Sequence, residues 1–504
     1  MTSLGFDNEK YLQEQREAIL ERVEQTDGKL YLECGGKLLY DYHASRVLPG
    51  FDPNVKMKVF QSLKDDIDVI ICIYAQDIER RKMRSDFGIT YDTDVFKMID
   101  DFASWGLSVN KVVVTRYSGQ SSAIQFMNRL KRRGITVYTH KVTAGYPLDV
   151  DTIVSDEGYG ANPYIETDKP VVIVTGPGPG SGKLGTCLSQ LYHDYKSGKK
   201  SGYAKFETFP IWNISIDHPV NKAYEAATVD IGDINQIDHF HLTSYGVPSV
   251  NYSRDMEAFP LLRRIIEKIT AKPSFYKSPT DMGVNRVGFG IIDDEVVRSA
   301  SHQEIIRRYY STLCEYAQGS GSSESVTRIK LLLESMNISP EIRKTVKASH
   351  TELKRAIEKG KGHDGIVCAA SMELPNGHII NGSNSELMHA SSALILNAVK
   401  YLAGIPKEID LIAKSTIKSI RHLKKDVLHG QRTSLDVEET LICLAMSAAN
   451  NPSAKAALDK LSLLKNTEVH LTHLPSSGDF NGLRKLILHV TSEPAFPSKN
   501  LLDE

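Results

Sequence analysis

The chain contains no apolar run of the roughly 18–20 residues that a bilayer-spanning helix requires, which excludes a helical membrane protein. The start, Met1–Asp7, has no basic segment followed by an apolar stretch, so no secretory signal is expected. Cysteines are few. Cys34, Cys72, Cys187, Cys314, Cys368 and Cys443 are each isolated, and no two lie within four residues. That excludes a local zinc knuckle and a CxxC redox pair, and the six are expected as buried, reduced thiols. A cytoplasmic protein is the simplest reading of these absences. An excess of one charge is also missing: 61 Lys+Arg stand against 62 Asp+Glu, for a net charge of −1. No nucleic acid is expected as a partner, since nothing holds one by bulk charge. Self-association is easy to tolerate at such a balance, and a homo-oligomer is expected. Internal repeats and low-complexity tracts are absent, and 41% hydrophobic with 24% charged residues is ordinary globular usage.

With 504 residues the chain exceeds one compact domain of about 100–200 residues. Asp7 is placed to cap an amphipathic helix running to Gln25. Short apolar runs then alternate with helical stretches: Lys29–Glu33, Asp68–Tyr74, Lys111–Thr115, Ile135–Thr139 and Val171–Thr175. Strands that alternate with helices and lack a polar face predict an α/β domain with a mostly parallel sheet covered on both sides. Gln318–Ser323 reads as a linker into a charged helical connector, and a new pattern opens at Asp364. There a strand, the turn Pro375-Asn376-Gly377 and a return strand predict a hairpin, followed by the helical stretch Ser385–Ala403. The expected organisation is an α/β domain over 1–317, a helical connector over 318–363, and a C-terminal α/β domain with helical insertions over 364–504.

The most informative segment is VVIVTGPGPGSGKLGT, Val171–Thr186. A strand runs into Gly176, Gly178, Gly180, Ser181 and Gly182, then Lys183, and a helix follows. Glycines let main-chain N–H groups approach phosphate oxygens, the helix N-terminus adds partial positive charge, and Lys183 supplies an ammonium. The match to GxxxxGK[ST] is imperfect: Pro177 stands where the first glycine belongs, and Leu184 where the hydroxyl belongs. Thr186 and Ser181 are the nearest hydroxyls. The alternative is a glycine-rich turn serving tight strand-to-helix packing. Gly35-Gly36-Lys37 is a weaker second loop that would bring Lys37 to the same anion.

Three other clusters are chemically plausible. The apolar run Ile211–Ile216 would deliver Asp217 and His218 to the carboxyl edge of the sheet as an acid and a base, with Mg²⁺ held through water. Asp238, His239 and His241 would share a metal if His239 and His241 lay on one side of a strand. Arg286 would clamp a phosphate or carboxylate. Against each stands an ordinary structural use of the same residues. Tyr159–Tyr164 would serve as a lid or as a plain loop.

The runs FDNEKYL, LLYDYHASRVLPGFDPN, DFGITYD, TIVSDEGYGANPYIET, GPGPGSGKL, KFETFPIWN, HPVNKAYEAATVD and SPTDMGVNRVGFGIIDDEVVR resemble an uncharacterised bacterial protein family of unknown function. The resemblance spans nearly the whole chain and is weakest at Gln318–His363 and at the C-terminal end. It implies a cytosolic bacterial protein and transfers no catalytic residue. The strand, turn, strand and helix of Gly365–Ala403 look like the opening unit of the cytidine-deaminase-type fold. That family's zinc enzymes need H-x-E and a paired cysteine motif. Here His389 is followed by Ala390 and Ser391, and PCxxC is absent, so the resemblance implies the fold without the zinc chemistry.

The leading expectation is an enzyme that binds ATP, another nucleotide or a phosphorylated small molecule at Gly176–Lys183, for phosphoryl transfer or ATP-coupled ligation with Mg²⁺. A Rossmann-type oxidoreductase is the rival enzyme reading, although Gly178, Gly180 and Gly182 give G-x-G-x-G instead of G-x-G-x-x-G. The non-enzymatic rival is a ligand-binding or oligomeric scaffold protein.

Overall fold

A computed structural model describes residues 4–84, 88–363, 365–430 and 433–498. Met1–Ser3, Asp86-Phe87 of the DFGITYD run, and Asp364, where the C-terminal pattern was expected to open, lie outside the described residues. Two compact units are present, one reaching Glu225 and including Gly232–Ser301, the other holding the chain from His302 onward. No helix among the described residues is long and apolar enough to cross a membrane.

The first unit opens with helix α1, Asn8–Gln25, capped by the Asp7 carboxylate as its sequence predicts. Six strands form its sheet: β1 Leu30–Cys34, β2 Ile67–Tyr74, β3 Lys111–Thr115, β4 Thr136–Thr139, β5 Val171–Thr175 and β6 Gly202–Phe206. Their order is β4-β3-β2-β5-β1-β6, and every pairing is parallel. The expected mostly parallel sheet is thus entirely parallel. Alternate residues along β5 are buried on opposite faces: Val171 and Ile173 pack with Ile19 and Phe60, while Val172 and Val174 pack with Leu188 and Ile265. Burial on both faces explains why these strands read as continuous apolar runs.

Helices α2, Tyr91–Ser104, and α3, Ser121–Lys131, lie on the same face as α1. Helix α4, Lys183–Lys196, which follows β5, covers the other face. The chain therefore leaves the neighbouring strands β2 and β5 toward opposite faces. This creates a topological switch point, where open α/β sheets bind ligands beyond the strand carboxyl ends. The glycine loop occupies that position.

Two segments depart from their sequence patterns. Ile211–Ile216 is not a strand; the sixth strand is Gly202–Phe206, so Glu207, not Asp217, follows it at the carboxyl edge. Its GYAKF sequence alternates at the sheet border, and two small residues weaken its apolar signal. The second concerns the histidine pair. Helix α5, His239–Tyr245, carries it instead of a strand, and Asp238 is the N-cap. Residues two apart on a helix point in different directions, so the shared face is lost. Beyond lie β7, Asn235–Ile237, paired antiparallel with β8, Val250–Tyr252, and then helix α6, Ser253–Thr270.

In the second unit the segment expected as connector is helical. Gln318–Ser322 turns between helices, and the Ser322 hydroxyl caps Ser323–Ser335. Helix α7, Lys344–Glu358, follows. The sheet holds β9 Ala369–Glu373, β10 Ile379–Ser383, β11 Glu468–Leu471 and β12 His489–Ser492 in the order β10-β9-β11-β12. The predicted hairpin joins β9 and β10, with Gly377 at positive φ closing onto the Leu374 carbonyl at 2.8 Å. Helix α8, Ala390–Leu402, packs its buried residues Leu394, Ile395 and Val399 with Met372 and Leu471 of the sheet.

Candidate functional site

Val171–Thr175 ends at the switch point because Gly176 allows a close turn. A Cβ there would stand 2.3 Å from the Cys72 carbonyl oxygen and 2.6 Å from Ser181 Oγ. Gly182, at φ +93°, places the helix start against β3; a Cβ there would lie 2.7 Å from Thr115 Oγ1. Pro177 and Pro179 carry no N–H of their own and stiffen the loop between the glycines.

The amides of Gly178, Gly180, Gly182, Lys183, Leu184 and Gly185 donate no hydrogen bond within the protein, among the described residues. The loop's carbonyls, in contrast, are held. Thr115 Oγ1 donates to the Ser181 carbonyl at 2.8 Å, and the Arg116 guanidinium donates to the Gly180 carbonyl. Holding the carbonyls outward leaves the N–H groups free for an anion. Ser181 Oγ is buried beside Gly176 without a hydrogen-bond partner among the described residues. Lys183 Nζ lies 3.5 Å from the Gly178 carbonyl, folded back over the loop. Burial pushes the Cys72 thiol up to about 12, and the Thr186 hydroxyl and then the Lys183 ammonium pull against it.

Thr186 does not face this cradle. Its side chain is fully buried, 3.4 Å from both Cys72 Sγ and His140 Nδ1. That orientation follows from its place in the first turn of α4, on the side packed against the sheet. Ser181 is therefore the hydroxyl at the loop.

Arg116 escaped the sequence reading. It follows β3 at φ +48°, with its guanidinium carbon 3.5 Å from the Tyr74 ring centroid. Both residues sit at strand carboxyl ends beside the glycine loop, and the signal was a lone basic residue directly after KVVVT. Glu207 was also missed. Its carboxylate packs on Gly35, where a Cβ would be 2.1 Å from Oε1. Lys205 Nζ bridges Asp255 at 2.5 Å and Glu207 at 3.5 Å, and Tyr203 donates to Glu33 at 2.7 Å. Burial raises the Glu207 carboxyl pKa; Lys205 opposes this, and the Asp255 and Glu33 carboxylates add to it. The second loop, Gly35–Lys37, thus borders an acid–lysine cluster at the ends of β1 and β6. The Lys37 carbonyl accepts from Lys56 at 2.7 Å.

The remaining expected residues are committed elsewhere. The Asp217 side chain is 84% exposed and lies 3.9 Å from Lys222. His218 is buried, its Nδ1 accepts from the Val220 amide at 3.1 Å, and so its Nε2–H donates to Asp294 at 2.8 Å. Burial lowers the His218 pKa, and Asp294 acts against it. Asp238 accepts from the His241 amide at 3.0 Å, the Thr280 hydroxyl at 2.7 Å and the Thr280 amide at 3.2 Å. His241 Nδ1 lies 3.1 Å from Ser278 Oγ, and His239 packs on Phe240. These bonds stitch a helix start to the neighbouring turn. Arg286 donates to the Asn285 carbonyl at 3.2 Å, and its amide donates to Gln15 of α1 at 3.0 Å. No hydrogen bond or ion pair among the described residues joins Asp217, His218, Asp238, His239, His241 or Arg286 to the glycine loop. Tyr159–Tyr164 is welded to α4: Ser189 donates to the Tyr159 carbonyl at 3.1 Å, and Tyr164 donates to Asp194 at 2.8 Å.

Two family models cover this chain: domain of unknown function DUF1846, N-terminal, over residues 4–337, and its C-terminal counterpart over residues 341–502. The chain belongs to the DUF1846 family. A UPF0371 protein of Fusobacterium nucleatum is 57% identical over 501 residues, 99% of each chain. UPF0371 proteins of Clostridium tetani and Clostridium botulinum are 55% identical over 498 residues, again 99% of each chain. The whole-chain resemblance read from the sequence is therefore shown. In the DUF1846 C-terminal part, His389 occupies the N-cap position of α8 without a side-chain cap bond, and its Nδ1 lies 2.7 Å from buried Asp479. Asp479 also accepts from Ser391 at 2.7 Å, Ser476 at 2.9 Å and the Val437 amide at 3.1 Å.

Proposed function

We propose that the N-terminal unit is an enzyme site that binds a nucleotide such as ATP, or a phosphorylated small molecule, at Gly176–Lys183. The observation that carries this reading is the set of unclaimed amides at Gly178, Gly180, Gly182, Lys183, Leu184 and Gly185, located at the sheet's switch point. Such a nest with an ammonium folded over it suits the charge and acceptor oxygens of a phosphate group. The unpartnered Ser181 hydroxyl supplies one more donor. Phosphoryl transfer or ATP-coupled ligation follows from this chemistry: Lys183 and the amides offset charge as it moves between phosphate oxygens. Glu207, raised by burial and adjacent to Lys205, is the acid–base group in place of Asp217. Mg²⁺ is part of the proposal because a nucleotide's phosphates bring it.

The C-terminal unit is proposed to keep a deaminase-type fold without its zinc chemistry, as a substrate-shaping or assembly module. Its hairpin β9–β10 followed by α8 supports that. Function in the cytoplasm and a homo-oligomeric state complete the proposal.

A thermal-shift series with ATP, GTP, NAD, NADP and sugar phosphates, each with and without Mg²⁺, tests the site. Stabilisation by a nucleoside triphosphate that vanishes in Lys183→Ala is the expected result. Stabilisation by NAD or NADP alone would replace this reading with a dinucleotide enzyme, and silence throughout would leave a scaffold.

A further inference from the structure

In the second unit, three side chains from separate elements converge on one point. His350 comes from the second turn of α7, His470 from the middle of β11, and Glu493 from the residue after β12. One ligand atom from each lies within 4.8 Å of the others. His350 Nε2 stands 3.0 Å from Glu493 Oε1, and His470 Nε2 stands 3.3 Å from the same oxygen. Ligand atoms bound at about 2.0–2.1 Å to one ion are spaced about 3.0 Å apart in an octahedron and about 3.4 Å apart in a tetrahedron. The two nitrogen–oxygen spacings fall in this range, and the three ligand atoms all lie within 4.8 Å of one another.

The second nitrogen of His470 is anchored as metal-binding imidazoles usually are. His470 is fully buried, and its Nδ1 lies 2.8 Å from Thr491 Oγ1. That hydroxyl in turn accepts from Arg343 Nε at 3.1 Å. Arg343 is locked by the Val469 carbonyl at 3.0 Å and by the Glu468 carboxylate, so the chain behind His470 is rigid. The two imidazole planes are perpendicular, with centroids 6.0 Å apart, and present Nε2 to Glu493 from different directions. The Tyr310 ring packs 4.8 Å from His470 and walls the inner side.

We propose that His350, His470 and Glu493 form a binding site for a first-row divalent metal ion of the zinc type. Two imidazole nitrogens with one carboxylate suit zinc or ferrous iron and do not suit Mg²⁺ or Ca²⁺, which take oxygen ligands. Three protein ligands leave at least one position open. The His350 side chain is 44% exposed and that of Glu493 26%, so solvent reaches the cluster from the α7 side. Among the described residues the cluster offers three protein ligands, one fewer than the four of a closed structural zinc site. This site is independent of the glycine loop: its residues all lie in the other unit.

The test uses the full chain, stripped with chelator and titrated with Zn²⁺ by calorimetry and with Co²⁺ by visible absorption. The expected result is a high-affinity site whose affinity falls at least 100-fold in Glu493→Gln and in His350→Gln. His350 is half exposed on a helix, so its variant keeps the fold, which circular dichroism checks. Thr491→Val is expected to weaken binding roughly 10–100-fold through His470. Wild-type Zn²⁺ affinity no greater than that of His350→Gln, or a Co²⁺ spectrum unchanged by both substitutions, would overturn the proposal and leave a hydrogen-bonded His–Glu–His cluster.

Discussion

Thr115 Oγ1 donates a hydrogen bond to the Ser181 carbonyl at 2.8 Å, tying the end of β3 to the glycine loop two strands away. The same threonine sits against Gly182, where a Cβ would come within 2.7 Å of its hydroxyl and methyl. Gly182→Ala is therefore expected to force the loop off β3 while also placing alanine at φ +93°. Each source of strain costs roughly 1–3 kcal/mol. Thermal unfolding of the full chain should show the loss, and the nucleotide-dependent shift should disappear with it.

Arg116 and Arg286 separate the observed loop geometry from the sequence expectation. Arg116 holds the Gly180 carbonyl and stacks on Tyr74, whereas Arg286 is bonded to the Asn285 carbonyl near α1. Arg116→Ala is expected to weaken nucleotide binding about tenfold, the loss of roughly one charge-assisted contact. Arg286→Ala should leave affinity unchanged. Calorimetry with ATP on both variants checks this, and the reverse pattern would return Arg286 to the site.

Two buried histidines set an acid limit on stability. His140 and His473 are both lowered to about 4: burial dominates for each, the nearby His193 adds to it for His140, and Asp479 opposes it for His473. An unfolded histidine titrates near 6.5, so between about pH 6.5 and 4 the unfolded chain binds more protons than the folded one. Stability is fully present above about pH 6.5 and falls as pH drops toward 4, by roughly 3 kcal/mol for each histidine. Urea unfolding at pH 7 and pH 5 should show this slope, and His140→Asn should remove about half of it.

Arg343 is fully buried between the Glu468 carboxylate and the carbonyls of Val469 and His489. Arg343→Met strands part of that acceptor set. Breaking a buried pair in this way costs roughly 3–5 kcal/mol. Urea unfolding should register it. A change below about 1 kcal/mol, the range of an exposed pair, would show that the pair is solvated.

Strands buried on both faces announced themselves, because continuous β-branched runs such as Val171–Thr175 have few other uses. The glycine loop was legible for the same local reason: strand, glycines, lysine and helix are adjacent in the chain. GYAKF was not legible, since a border strand with two small residues carries little apolar signal, and Ile211–Ile216 looked stronger while forming turns. Placing Asp217 at the sheet edge failed with it. His239 and His241 matched a strand period only while a strand was assumed; Asp238 capping a helix settled the local backbone otherwise. Arg116 left one local trace, a basic residue directly after KVVVT, while Glu207 and the cluster of His350, His470 and Glu493 depend on contacts between distant segments, of which spacing along the chain holds no record.

Main-chain recognition of an anion by the loop after β5 is tested most directly by selective ¹⁵N-glycine labelling and titration with ATP and Mg²⁺. The amide resonances of Gly178, Gly180, Gly182 and Gly185 should move strongly downfield and saturate together, while those of remote turn glycines such as Gly28 and Gly106 stay in place. Unmoved resonances at these four positions under saturating nucleotide would contradict it.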